Sequence, residues 1–420
     1  MNMFTGSLSI VRFTRWAPAC VLLGALQGPV LAQDVNQLPS APLHQELGPQ
    51  FDEVFPNGVP PAGSAEQTRF GLRISRHGNT ALIFMAGFRS DTGRVAIFTR
   101  NASGAWERTG TLDPPNGQPS DQFGSTLALD EHGALIGSRQ GLYVYRRRGP
   151  QGFTLIQTLR NANGRFFSAG ALWKGWAFAP STDNGDRFVR VYRFTPRGLF
   201  LTQTLRSGEP STDGFAADMA FSDGTLLVSA PDDDEGRGAA YLFEPHHGRF
   251  WIKRQKLIAT DGVPGDSFGQ TVALGDGVIA IGAPGVKIDT QPGVFCGEGN
   301  FPFYFGNVVV FKQGAGHLWS ERQVLPAPTC IWGFGESVAA DGKWVVVGMP
   351  AIAMFESSPS ILYRRDESGP YTAAATARST MGQGAPVLHL RGNTLMVGLR
   401  TEHNFEVGDI GSVDVYLLDK

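Results

Sequence analysis

One phrase recurs along this chain and constrains its fold more than any other feature: a Phe-Gly step, a run of small residues, a tight turn and a continuous apolar run. Asp266 to Gly285 reads DSFGQTVALGDGVIAIGAPG, and GFGESVAADGKWVVVGMP begins at Gly333. Clear copies open at Phe70-Gly71, Phe123-Gly124, Phe268-Gly269 and Phe334-Gly335. Phe167-Ser168 and Phe215-Ala216 align with them, and Gln383-Gly384 opens a degenerate last copy. The successive intervals are 53, 44, 48, 53, 66 and 49 residues. A period of this length belongs to units of four short strands and not to pairs of helices.

Within each copy the same order holds. A small-residue strand such as Gln270 to Leu274 is followed by Asp223-Gly224, Asp276-Gly277, Asp341-Gly342 or Gly392-Asn393. Asp-Gly between apolar runs is a hairpin signal, because both residues tolerate positive φ. The second strand is apolar without alternation, as in Leu226 to Val228, Val278 to Ile281 and Trp344 to Val347. Such a strand is buried on both faces. It ends at Ser229-Ala230-Pro231, Gly282-Ala283-Pro284 or Gly348-Met349-Pro350, where Pro stops the ladder. A third strand opens on Gly, at Gly93, Gly141, Gly238, Gly306 and Gly411. A fourth runs from an aromatic or Leu to a Leu six residues on, as in Trp106 to Leu112, Trp251 to Leu257 and Trp319 to Leu325. Even spacing puts both ends on one face.

A single four-stranded sheet cannot cover both of its faces. Seven packed radially cover one another and leave only short edges. The expected fold is therefore all-β, a seven-bladed β-propeller of four-stranded antiparallel blades over residues 65–420. The abundance of Gly (54) and Pro (27) agrees with many turns and short strands. The last unit ends after its third strand, and the segment Gln45 to Phe55 is expected to supply the missing outer strand and close the ring. Residues 33–64 are thus an N-terminal linker with a closing strand.

Residues 1–32 read as a signal peptide: Arg12 and Arg15, an apolar run from Trp16 to Ala25, then Val30-Leu31-Ala32. The apolar run is short for a membrane span. Cleavage near Ala32 implies a secreted, periplasmic or cell-surface protein and takes the net charge from −2 to −4. That charge disfavours nucleic acid as a partner. No other segment reads as transmembrane, and a monomer is expected. Cys296 and Cys330 remain after cleavage, an even pair that suggests one disulfide in an exported chain. A bridge there would stabilise the fold by about 3–4 kcal/mol. Two free buried thiols are the alternative.

The Phe-Gly and Gly-Ala-Pro steps resemble the FG-GAP repeat family, the propeller of integrin α subunits and of many exported bacterial proteins. The resemblance covers roughly residues 65–420 and implies an extracellular binding or adhesion module. Integrin-type blades often hold calcium in an acidic loop between their first two strands. Here that place holds turns such as Leu274 to Gly277, too short to supply six to eight oxygen ligands. No cofactor is therefore expected. The acidic run Asp232-Asp233-Asp234-Glu235 lies in another loop and reads first as a solvated turn, leaving Asp232 and Asp234 as the remaining metal candidates.

No catalytic constellation stands out. Ser181 to Gly185 echoes a sialidase Asp-box in a single copy, His246-His247 lies in a polar turn, and Arg146-Arg147-Arg148 reads as a solvated surface. The fifth unit carries an insertion between Gly285 and Phe305 with Phe295, Phe301, Phe303, Tyr304 and Phe305; the next carries Met354 and Phe355 in the same loop type. Long aromatic loops suit recognition of a protein or glycan, and these residues are the partner-binding candidates. The alternative is that the aromatics plug the channel mouth or pack on a blade. A second function class, a propeller hydrolase or lyase, requires carboxylates or histidines converging at the channel mouth.

Overall fold

The computed structural model describes residues 38–48, 69–149, 152–160, 170–209, 213–286, 305–328, 333–350, 357–366, 369–381, 385–398, 403–404, 408–409 and 411–419. The chain divides into Met1–Leu31 and Ala32–Lys420, and every described residue lies in the second unit. The predicted signal segment, Phe167-Ser168, Gln383-Gly384 and both Cys296 and Cys330 fall outside the described residues.

The described strands form seven four-stranded antiparallel sheets and one two-stranded ribbon, His403–Asn404 with Gly408–Asp409. Blades 1 to 6 are each built from four consecutive strands. In blade 5, for example, these are Thr271–Gly275, Val278–Ala283, Asn307–Gln313 and Trp319–Pro326 from inside to outside. Each inner strand touches the inner strands of both neighbouring blades, including Phe70–His77 of blade 1 against Val387–Arg391 of blade 7. The ring of blades is therefore closed. Blade 7 takes its outer strand from the other end of the chain: Leu43–Leu47 pairs antiparallel with Val413–Leu417. That strand lies earlier than the predicted Gln45 to Phe55, of which residues 49–55 are outside the described part.

The continuous apolarity of the second strands has a direct cause. Val278 and Ala280 belong to the core shared with blade 6, whereas Ile279 and Ile281 belong to the core shared with blade 4. Among the described residues there are seven such cores, one for each junction between adjacent blades. Burial of these faces against their neighbours is the main driving force for the ring.

The recurring Phe-Gly and Gly-Ala-Pro steps are two sides of one contact. Gly269 N–H donates to Gly282 O at 3.0 Å, and Gly124 N–H to Gly137 O at 2.9 Å. The Phe ring packs edge-on against the third-strand aromatic of its own blade, with Phe123–Tyr143 centroids 5.1 Å apart and Phe268–Phe311 6.1 Å apart. A Cβ on Gly282 would strike the carbonyl oxygen of Gly335 in blade 6, and one on Gly398 would strike that of Gly71 in blade 1. Glycine is thus required where neighbouring inner hairpins approach most closely.

Candidate functional site

In blades 1 to 6 the turn after the inner strand and the turn before the outer strand lie at one end of the ring. The loops between second and third strands lie at the other. The predicted recognition residues fall in chain order between second and third strands of blades 5 and 6. Phe295, Phe301, Phe303, Tyr304, Met354 and Phe355 fall outside the described residues. Phe305 does not: it is 4% exposed and sits in the core between blades 5 and 6 with Phe334 and Met349. The partner-binding expectation is corrected at this residue. Its position just before Gly306 and the third strand carries its side chain inward.

The acidic run of blade 4 also lies at that end, and it is less solvated than expected. Asp233 is buried, accepts a hydrogen bond from Tyr241 Oη and pairs with Lys256 Nζ at 2.9 Å. Asp234 is exposed and pairs with Arg237 at 3.1 Å. Asp232 is exposed, and its backbone oxygen accepts from Gly236 N–H at 3.3 Å. The metal candidates Asp232 and Asp234 therefore flank a carboxylate already engaged by the fold. Arg146 donates to Pro196 O, and Arg147 to Thr80 Oγ1, so part of the basic run ties neighbouring blades together.

Among the described residues, the opposite end holds the richer chemistry. Asp223-Gly224 and Asp276-Gly277 make the two-residue turns expected, with positive φ at all four residues. In blade 6 the turn is shifted by one residue to Gly342–Lys343, because Asp341 pairs with Trp344 at the end of the inner strand. This frees the Asp341 carboxylate to accept from Gly392 N–H of blade 7. Burial raises the Asp341 pKa, and nearby Asp276 and Asp223 raise it further against the opposing effects of Gly392 N–H and Arg391. Asp223, Asp276 and Asp341 thus form an acidic arc on three successive turns.

Beside this arc lies a groove of about 500 Å³ spanning blades 3 to 5. Trp173, Asp223 and Glu244 line one side, and Leu274, Gln313 and His317 the other. Glu244 is paired with Arg254 at 3.1 Å. Lys174 Nζ lies over the Trp173 ring at 5.1 Å. Phe250 and Leu318 are 56% and 61% exposed, each placed immediately before the buried Trp251 or Trp319 of an outer strand.

A second polar group lies at the same end on blades 1 and 2. Ligand atoms of Asp130, Glu131 and His132 come within 4.8 Å of one another, and His77 Nε2 is 3.5 Å from Glu131. Asp130 Oδ1 accepts from the N–H groups of His132 and Gly133 at 2.8 and 3.0 Å, so this carboxylate shapes its own turn. Burial raises the Asp130 pKa and lowers that of His77.

Neither the groove nor the turn-borne charges were singled out by sequence reasoning. The Asp-Gly turns marked three of these positions, but nothing in the chain order places turns of different blades side by side. Residues 251–293 match the FG-GAP repeat family, a span running from the outer strand of blade 4 past the inner hairpin of blade 5. No curated protein matches the chain. A crystal structure of a protein from Lactobacillus plantarum, solved by a structural genomics consortium, is similar at 11% identity and a TM-score of 0.48, covering 77% of this chain and 92% of that one.

Proposed function

We propose that this chain, a seven-bladed FG-GAP-type β-propeller, is a binding module of the secreted, periplasmic or cell-surface kind that captures a protein or glycan without transforming it. The observation that supports this most is the groove across blades 3 to 5, lined by carboxylates, an imidazole, Trp173 and Trp319, with Phe250 and Leu318 exposed on outer-strand starts of blades 4 and 5 at the same end of the ring. Exposed aromatic and aliphatic anchors beside polar groups are the composition of a recognition surface. The leader-like residues 1–32 support an exported setting. The insertion between Gly285 and Phe305 is the second proposed contact region.

The test is capture of defined glycans and purified surface proteins by the chain lacking residues 1–32. Two variants run beside it: Phe250→Ser with Leu318→Ser, and replacement of residues 286–304 by a short Gly-Ser turn. Each must first melt cooperatively. A ligand lost with one variant and kept with the other locates the binding end. Capture of nothing by the parent chain counts against the reading.

A second reading, a hydrolase or lyase at the channel mouth, draws on Asp130, Glu131, His132 and His77. Its test is turnover of ester, glycoside and polyuronate substrates that disappears in His132→Ala.

A further inference from the structure

We infer that the groove of blades 4 and 5 docks a basic polypeptide segment, with lysine or arginine side chains over Asp223 and Asp276 and apolar neighbours against Phe250 and Leu318. The inference rests on the recognition reading above and names the partner class for that site.

Charge selects the partner. Asp223 and Gly277 of the Asp276 turn line the same groove, and a Cβ on Gly342, the residue after Asp341, would lie 2.6 Å from the Asp276 carboxylate. Among the described residues no Lys or Arg forms an ion pair with Asp223 or Asp276. Lys174 is held on Trp173 at one end of the arc, and Lys343 of the blade 6 turn and Arg391 stand by Asp341 at the other. Glu244, on the groove wall, is already matched by Arg254. The centre of the arc is therefore left with uncompensated negative charge facing solvent. An anionic partner is repelled there and a cationic one attracted.

The apolar side chains select a polypeptide. Phe250 and Leu318 occupy the same place in successive blades, one residue before Trp251 or Trp319 of the outer strand. Their backbones are tied to rigid neighbours: Trp251 N–H donates to Gln203 Oε1 at 2.8 Å and Trp319 N–H to Gln255 Oε1 at 2.9 Å. Two exposed apolar side chains at the same end of the ring as the acidic arc match a chain in which basic and apolar residues alternate. A neutral sugar would use the polar groove wall and leave the arc unexplained.

The experiment is fluorescence anisotropy with a labelled peptide of alternating Lys and Phe, against the same peptide with Glu in place of Lys. Titrations are made at low salt and at about 0.3 M salt, where the screening length falls to about 6 Å. The Lys peptide is expected to bind and the Glu peptide not to. Asp223→Asn with Asp276→Asn is expected to weaken binding by about tenfold at low salt and to remove most of the salt dependence. Phe250→Ser with Leu318→Ser is expected to weaken it by about tenfold at both salt concentrations. All four residues are exposed, and unchanged melting temperatures verify the variants. Equal binding of both peptides, indifference to the Asn pair, or no binding of the Lys peptide each overturns the inference. Neutral oligosaccharide capture lost with Phe250→Ser and Leu318→Ser, without peptide binding, overturns it while leaving the recognition reading in place. Capture only through residues 286–304 does the same.

Discussion

The carboxamide of Gln255, on the outer strand of blade 4, brackets the backbone of Trp319 on the outer strand of blade 5. Nε2 donates to Trp319 O at 2.7 Å, and Trp319 N–H donates to Oε1 at 2.9 Å. The same bracket joins Gln203 to Trp251, Gln323 to Tyr371, Gln157 to Leu199 and Gln45 to Trp106. An outer strand has one edge with no further strand in its sheet, so its backbone groups need other partners. The glutamine supplies an amide of the same donor-acceptor polarity as a strand. In these five blades a bulge between third and outer strands, such as that between Leu242 and Phe243, lies next to the glutamine. Blade 1 carries Gly110 at the equivalent site, paired with Ile97.

Gln255→Ala should therefore destabilise the fold by about 1–3 kcal/mol, because it leaves two backbone groups of Trp319 without their partner. Urea unfolding followed by Trp fluorescence measures it. Gln255→Glu preserves the acceptor and loses the donor, and should fall between the two. Equal stability of Gln255→Ala and the parent would show that water replaces the bracket at no cost.

Gly282→Ala should be far more damaging than Gly277→Ala. The added methyl at Gly282 meets a backbone oxygen of the next blade, and backbone cannot move aside cheaply. A loss of about 3–5 kcal/mol, or failure to fold, is expected. Gly277 has φ +72 with open space around it, so only the left-handed conformation resists a side chain, at about 1–2 kcal/mol. Thermal melts of the two variants decide.

The N-terminal strand should behave as a structural part of blade 7. Leu47 is buried in the core between blades 7 and 1 with Phe70 and Val415. Leu47→Ala should cost about 2–5 kcal/mol. Removal of residues 33–48 should lower the melting temperature, and a synthetic peptide of residues 38–48 should restore part of the loss. An unchanged melting temperature after the deletion would mean that the strand contributes nothing to stability.

Acid should destabilise the fold through His389. Its Nε2 is enclosed without a partner among the described residues. Burial, and then Arg76 and Arg391, push its pKa down from 6.5 to about 3. The unfolded chain takes up this proton near 6.5 and the folded chain only near 3. Stability contributed above 6.5 is therefore lost as pH falls through that window, by at most about 1.4 kcal/mol per pH unit. The raised carboxyls of Asp218, Asp130 and Asp341 act in the opposite sense, since their folded forms keep a proton to higher pH. His389→Leu isolates the effect: its stability relative to the parent should improve steadily from pH 7 to pH 4. Parallel stability curves would assign the histidine no role.

The blade pattern was legible in the chain because the requirements behind it are local. Phe-Gly and Gly-Ala-Pro recur since each pair hydrogen-bonds across one hairpin, and the second strand is apolar throughout since both of its faces meet a neighbour. The brackets had a visible trace as well. Gln157-Thr158-Leu159, Gln203-Thr204-Leu205, Gln255-Lys256-Leu257 and Gln323-Val324-Leu325 repeat at the ends of outer strands, but a glutamine on a half-exposed strand reads as an ordinary surface residue. Phe305 was misread for a related reason: an aromatic at the end of a long insertion has no periodicity to show which way it points.

The amino-acid sequence by itself determined the number of blades, their strand order and the glycines at their contacts, because those follow from interactions within one repeat or between consecutive ones. Only the tertiary structure decided which charges share a surface. Asp223, Asp276 and Asp341 lie more than fifty residues apart in succession, and closure of the ring aligns their turns at one end. Leu43–Leu47 found its place in the same way: the sheet left incomplete near residue 417 accepts whatever strand the closed ring brings to its edge.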